Sequence, residues 1–411
     1  MLWRPRGSAG AAAVLAAGRP ATTLAAATAP AAGTVVESHG RHGTVLLHGA
    51  EGRRLRCRLE KGQAQRDVRA EAEHFMIGDR VTVAAPPAHV PAADTPDAGP
   101  TGLALERAPR ARTLRRHMSA HSVRAIATGV DQLVLVTAVQ PPPNRGLLDR
   151  FIVLAEAEGI DVLLVLNKVD LGGAALDQAR HTLAPYAAAG YRTHELSVSR
   201  GDGLAELRAG LAAAPGRISV LAGHSGVGKS SLMNELVPGA ALPTDELSRS
   251  RRGFRGRHMT TRRTCHLLPV APAPPRTPAP APGRRPGAGA NWPADCAMVV
   301  DTAGVRSFSL VGIAQSTLVD GFREFREISS GCRFRDCKHL HEPGCAVREA
   351  VGATGSDAAV DAYRYDSCLL RWILMHIYKP HFAPEPGSKM RMNLHRSRYL
   401  RITMSVQSGD G

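Results

Sequence analysis

The sequence predicts a multi-domain chain: a small N-terminal β-barrel, a central α/β domain on a parallel sheet, and a short cysteine-rich domain. Three observations carry this prediction. Short β-like runs broken by glycine begin near residue 33. Near-continuous apolar runs then alternate with a helical spacing, and one of them feeds a glycine-rich loop. Three cysteines and a histidine finally fall within 14 residues, at 332–345. A length of 411 residues suits two or three domains. Aromatic residues make up only 4%, so the cores must pack on Ala, Val and Leu. The net charge of +16 favours a polyanionic partner, nucleic acid before membrane. General arginine enrichment is the plainer alternative.

The barrel is read from Thr34-Val35-Val36, Val45-Leu46-Leu47, Leu55-Arg56-Cys57-Arg58 and Arg80-Val81-Thr82-Val83, with Gly78-Asp79 as a turn. Five short strands in such a length fit a barrel of the oligonucleotide-binding (OB) kind. Arg53, Arg54, Arg56, Arg58, Lys61, Arg66 and Arg69 could follow a phosphate backbone. Residues 85–102 read as a Pro/Ala/Gly linker. Before the barrel, residues 1–36 lack acidic side chains and carry Arg4, Arg6 and Arg19. They read as a composition-biased extension rather than a transit peptide, because the same bias recurs downstream.

The α/β domain rests on Leu133-Val134-Leu135-Val136 and Val162-Leu163-Leu164-Val165-Leu166. Uninterrupted apolar runs suit parallel strands covered on both faces. Helical spacing between them spans 147–158, and Ile218-Ser219-Val220-Leu221 gives a third strand. Residues 271–294 are a Pro/Ala/Gly/Arg tract that cannot build a core. It lies between possible strands at 265–270 and 297–301, so a hairpin tip is expected there.

Gly223, His224, Ser225, Gly226, Val227, Gly228, Lys229 and Ser230 form a phosphate-binding loop. Its glycines let backbone N–H groups crowd phosphate oxygens, and the following helix, starting near Lys229 and Ser231, points its positive end at the anion. Lys229 would reach the β- and γ-phosphates, and Ser230 would hold Mg²⁺. Asn167-Lys168-Val169-Asp170 ends a strand and is a guanine reader. The Asp170 carboxylate can accept from N1–H and the exocyclic amine of guanine, whereas adenine would leave it unpaired. Asn167 would brace the loop and Lys168 cover the base. Ser197 and Val198 sit where a backbone N–H could meet the guanine carbonyl. An ATPase or kinase is therefore disfavoured.

Asp301 and Gly304, in Asp301-Thr302-Ala303-Gly304, end a strand where Mg²⁺ and the γ-phosphate can be contacted. Val305 stands where many GTPases place a water-orienting glutamine. Cys332, Cys337, His339 and Cys345 supply a closed four-ligand set of the structural-zinc kind, with His341 as a rival ligand. The seven cysteines do not form a disulfide framework. No apolar run reaches membrane-spanning length.

The guanine reader precedes the phosphate loop, the reverse of the ordinary GTPase order. With Val130-Asp131-Gln132, Leu148-Asp149-Arg150, residues 253–261 and the stretch 332–347, this order resembles the RsgA/YjeQ family of circularly permuted GTPases over about 33–370. The resemblance implies an OB-fold β-barrel, an α/β circularly permuted P-loop GTPase domain and a mostly helical zinc-binding domain. The borders it suggests are a disordered extension at 1–32, an RNA-binding barrel at 33–110 and a GTPase domain at 111–311 with a disordered insert at 271–294. A zinc domain at 312–380 and a tail at 381–411 follow. It implies a GTP hydrolase that binds the small ribosomal subunit and its rRNA in late maturation, stimulated by the subunit. His258 matches the family's proposed water-orienting histidine, and Thr260 or Thr261 would join Ser230 on Mg²⁺. Departures are His224 for Gln, Met259 for Thr and Ala303 for Pro. A cytoplasmic monomer is expected, with an organelle as the alternative if 1–32 is a transit peptide. The rival from another class is an RNA-binding scaffold that holds GTP without turning it over.

Overall fold

A computed structural model of the chain describes residues 30–39, 41–48, 54–59, 74–84, 102–119, 122–237, 265–270, 296–301, 315–352, 359–377, 389–396 and 400–407, with residues 242, 310 and 313. The expectations for 1–29, for the 271–294 tract, and for His258, Thr260, Thr261, Gly304 and Val305 lie outside these residues.

Five strands close the N-terminal barrel: β1 (Ala31–His39), β2 (His42–Leu47), β3 (Arg54–Leu59), β4 (Arg80–Ala84) and β5 (Gly102–Arg107), in the order β1-β2-β3-β5-β4. Period-two alternation explains the interior: Val35, Val45, Leu55, Cys57, Val81 and Val83 point inward and form one core. On β3 the alternation turns Arg54, Arg56 and Arg58 away from that core. The fifth strand starts at Gly102, where the linker was expected to end. A hairpin of β6 (Leu114–Ser119) and β7 (Ser122–Ala127), not foreseen in the sequence, follows.

The central sheet has six strands in the order β10-β9-β8-β11-β13-β12. They are β8 (Gln132–Ala138), β9 (Asp161–Asn167), β10 (Arg192–Glu195), β11 (Ile218–Gly223), β12 (Cys265–Pro269) and β13 (Cys296–Asp301). All pairs are parallel except β12 with β13, whose antiparallel register runs from Cys265↔Val300 to Pro269↔Cys296. The 271–294 tract thus joins two adjacent strand ends, as expected of a hairpin tip. Among the described residues, four helices lie in this domain: α1 (Arg145–Ala157), α2 (Gly173–Ala188), α3 (Leu204–Leu211) and α4 (Lys229–Leu236). Asn144 caps α1 by accepting from the Leu147 N–H at 2.9 Å. The burial of β8, in which every residue is interior, accounts for its unbroken apolar run.

The C-terminal region is mostly helical: α5 (Gln315–Asp320), α6 (Arg323–Ser329), α7 (Ala346–Glu349) and α8 (Ala362–Ile377), with short strands β14 (Val351–Gly352) and β15 (Val360–Asp361). It shares a core with α1, where Leu318, Phe322 and Phe325 join Phe151 and Ile152. A buried ionic knot pins this joint. Arg364 on α8 is fully buried, donates to Asp149 on α1 at 2.6 Å, and forks onto Glu324 on α6 at 2.7 and 3.1 Å. Tyr186 of α2 also donates to Asp149, and Ser367 of α8 does the same. The tail at 381–411, left unassigned by the sequence, contains a hairpin of β16 (Lys389–Arg396) and β17 (Leu400–Gln407).

Candidate functional site

The parallel sheet places the ends of β9 and β11 side by side with β8 between them. The guanine-reader tetrapeptide leaves β9 and the glycine loop leaves β11, so segments 60 residues apart meet. Gly223 has φ +153° and passes so near β8 that a Cβ would lie 2.1 Å from the Val136 carbonyl oxygen. Gly228 has φ +92°, and a Cβ there would lie 2.5 Å from Asn167 Nδ2. Only glycine satisfies both the backbone angle and the space at these positions.

Asn167 is the brace that its position predicts. It is 1% exposed and makes three hydrogen bonds. Its Nδ2 donates to the Val227 carbonyl at 2.9 Å, and its Oδ1 accepts from Lys168 N at 2.7 Å and Val198 N at 3.2 Å. One side chain therefore ties the base-reading turn, the phosphate loop and the segment after β10. Lys168 adopts φ +63°, and its ammonium donates to the carbonyls of Gln140 and Gly226, each at 2.7 Å.

Asp170 lies in a 3-10 turn spanning Val169–Leu171. The Ser197 hydroxyl donates to Asp170 Oδ1 at 2.6 Å and holds this carboxyl below the ordinary carboxylate range. Ser199 and the Arg200 N–H contact the Ser197 hydroxyl in turn. The Ser197 N–H donates to Asp202 O, and Val198 N–H is the one bound to Asn167. Sequence reasoning placed Ser197 by its backbone. It missed the hydroxyl and Ser199, although a Ser-x-Ser pattern after a strand offers such local bonds.

In the loop, Lys229 Nζ donates to the carbonyls of Gly223 and His224 at 2.8 Å each. The His224 ring turns to the Ser225 carbonyl at 2.8 Å and stays exposed, as expected of a side chain directed away from the loop's interior. Ser230 and Ser231 occupy the first turn of α4, whose Leu232, Met233 and Leu236 are buried beneath it. Asp301 ends β13, beside β11, and is 8% exposed. The carbonyl of Gln140, in a Pro-rich segment before α1, was not foreseen as a partner of Lys168.

The second site is the cysteine-histidine cluster. Ligand atoms of Cys332, Cys337, His339 and Cys345 all lie within 4.8 Å of one another, a set that can hold a metal ion; His341 is outside it. Burial lowers the His339 pKa, which favours the neutral imidazole that ligation requires, and pushes the Cys337 thiol up to about 12. A bound cation would favour the Cys337 thiolate over the thiol. Three soft sulfurs and one imidazole, with no oxygen donor, fit a tetrahedral structural ion. His339 has φ +60°, is 4% exposed, and its carbonyl accepts from Tyr365 at 2.6 Å. Burial opposes charge on Glu342, but N–H bonds from Lys338, Leu340 and His341 hold its carboxyl down at about 2.

Comparisons with known proteins agree with this geometry. The family model for the RsgA GTPase matches residues 107–272, which include the guanine reader and the glycine loop and stop before Asp301. The "Small ribosomal subunit biogenesis GTPase RsgA" of Chromohalobacter salexigens is 35% identical over 329 residues, covering 79% of this chain and 85% of its own. That of Gemmatimonas aurantiaca is 35% identical over 338 residues, covering 82% and 94%. The crystal structure of YjeQ from Thermotoga maritima superposes with a TM-score of 0.59 at 26% identity, covering 85% of this chain and all of that one. The structure of YloQ, described as a circularly permuted GTPase, gives 0.56 at 25%, covering 88% and 99%. With its reader, phosphate loop and metal-binding set in the order and places described, this chain belongs to the RsgA family of GTP-hydrolysing enzymes.

Proposed function

We propose that this GTPase binds the small ribosomal subunit and its rRNA and assists late subunit maturation, with hydrolysis stimulated by the subunit. The observation that carries the reading is the Asn167 brace. It joins the base reader to the phosphate loop in a single pocket, on a chain similar to relatives named for small-subunit biogenesis. Asp170 selects guanine. Gly223, Ser225, Gly226, Val227, Gly228, Lys229, Ser230 and Ser231 would wrap the phosphates, Asp301 would hold Mg²⁺ through water, and the Gly304 N–H would reach the γ-phosphate.

Ser230, with Thr260 or Thr261, would hold Mg²⁺, which when bound supplies positive charge to the β- and γ-phosphate oxygens. His258 is the candidate water-orienting group. Cys332, Cys337, His339 and Cys345 would hold one structural Zn²⁺. The chain acts as a monomer in the cytoplasm. Among the described residues no helix is long and apolar enough to cross a membrane. The domain borders proposed are those given by the sequence, except that the barrel begins at Ala31, the first residue of β1.

The decisive assay is GTP hydrolysis titrated with purified small subunits. A saturable rise in turnover supports the proposal. GTP bound tightly but not turned over, at any subunit concentration, would instead identify a GTP-holding scaffold.

A further inference from the structure

At the opposite end of the sheet from the nucleotide loops lies a polar groove of about 360 Å³. It is lined by Asp161 and Val162 at the start of β9, Gly190 and Arg192 before and within β10, Arg217 just ahead of β11, and Arg323 at the start of α6. Arg217 Nε is buried and has no hydrogen-bond partner among the described residues. A buried guanidinium N–H without a partner is costly, and an anion in the groove would supply the missing acceptor. Arg323 is held in place: its Nε donates to Glu156 at 2.6 Å, its Nη1 to the Gly190 carbonyl at 3.5 Å, and it stacks 4.5 Å from the Tyr191 ring centre. Glu156, 5% exposed, is shared with Arg326, so a single carboxylate serves two guanidiniums. Arg192 is exposed on β10, the edge strand of the sheet.

We propose that this groove binds backbone phosphates of RNA. The observations favour a polymer over a free phosphate. The groove is open along a sheet edge rather than closed, its arginines are spread over three segments, and the chain carries a net charge of +16. The site also straddles two domains. Arg323 shares α6 with Glu324, which grips Arg364, and with Phe325, which packs edge-on to the metal-set His339 at 6.1 Å between ring centres. RNA held here would fasten the GTPase sheet to the cysteine-histidine region. The inference rests on the subunit-binding reading above and deepens it by assigning a phosphate contact remote from the nucleotide.

The test uses the full chain and its R192Q/R217Q double variant, with a non-hydrolysable GTP analogue and purified small subunits, over a series of salt concentrations. The variant is expected to bind about tenfold more weakly. The slope of log Kd against log salt is expected to fall by about 1–2, as for the loss of one or two phosphate contacts. GTP affinity and basal turnover stay unchanged, and R192K/R217K restores most of the slope. Equal affinity and slope in the variant and the unchanged chain would overturn the inference alone. Failure of the unchanged chain to bind subunits at all would remove the underlying reading and this inference with it. Inorganic pyrophosphate binding, measured with GDP filling the nucleotide site, gives the other arm. Pyrophosphate binding lost in the double variant without change in subunit binding would assign the groove to free phosphates and overturn the RNA claim.

Discussion

At the residue scale, the proposed base choice rests on the Asp170 carboxylate and its neighbours. Asp170→Asn replaces an acceptor with a group that cannot pair with both guanine donors. The discrimination between GTP and ATP is expected to collapse by about 10²–10⁴-fold, measured as the ratio of their affinities. An unchanged ratio would show that another group reads the base. Ser197→Ala tests the acid side of the same contact. The hydroxyl keeps Asp170 ionised below the ordinary carboxylate range. Without it the pKa rises, so loss of GTP binding on acidification begins at a higher pH than in the unchanged chain. Coincident pH profiles would contradict this. Asp170 was legible because its chemistry sits in a contiguous tetrapeptide. The Ser197 hydroxyl was not, because its partner lies 27 residues away and nothing in a Ser-Val pair announces it.

At the scale of elements, the loops are shaped by contacts that admit no side chain. Gly228→Ala would force a Cβ toward Asn167 Nδ2 at 2.5 Å while holding φ at +92°. Strain of about 1–3 kcal/mol is expected, with GTP binding weakened about tenfold or more and the far-UV spectrum unchanged. Wild-type affinity would show that the loop relaxes freely. In the cysteine-histidine region, Glu342 is a local staple. Its folded pKa is depressed to about 2. Its contribution is therefore present above the unfolded carboxylate value and is lost as pH falls toward 2. Glu342→Gln should cost about 1 kcal/mol at neutral pH, discounted for partial exposure, and progressively less on acidification. Chemical unfolding at several pH values checks this; a cost independent of pH would contradict it. The sequence showed most strands here through apolar runs and alternation. β16 and β17 also alternate, with Met390, Met392 and Leu394 in register with Val406, Met404 and Ile402, in a stretch the sequence left as an unassigned tail.

At the scale of the whole molecule, the C-terminal region is joined to the GTPase core through Arg364, Asp149 and Glu324. Arg364 and Asp149 stand 215 residues apart, so no local pattern could have paired them. Arg364→Ala leaves two carboxylates without their partner in the interior and is expected to cost about 3–5 kcal/mol in urea unfolding. A loss below about 1 kcal/mol would mean that the apolar contacts of Phe322 and Phe325 carry the joint alone. The strand bearing Asp301 leads along the chain toward this same region, so the segment proposed to contact the γ-phosphate precedes the cysteine-histidine set in sequence. We propose, as the account's central claim, that the nucleotide in the Asn167-braced pocket sets the affinity for the small subunit. Its most direct test is small-subunit binding measured with a non-hydrolysable GTP analogue and with GDP. The account predicts distinctly tighter binding with the analogue; equal affinity in the two states would contradict it.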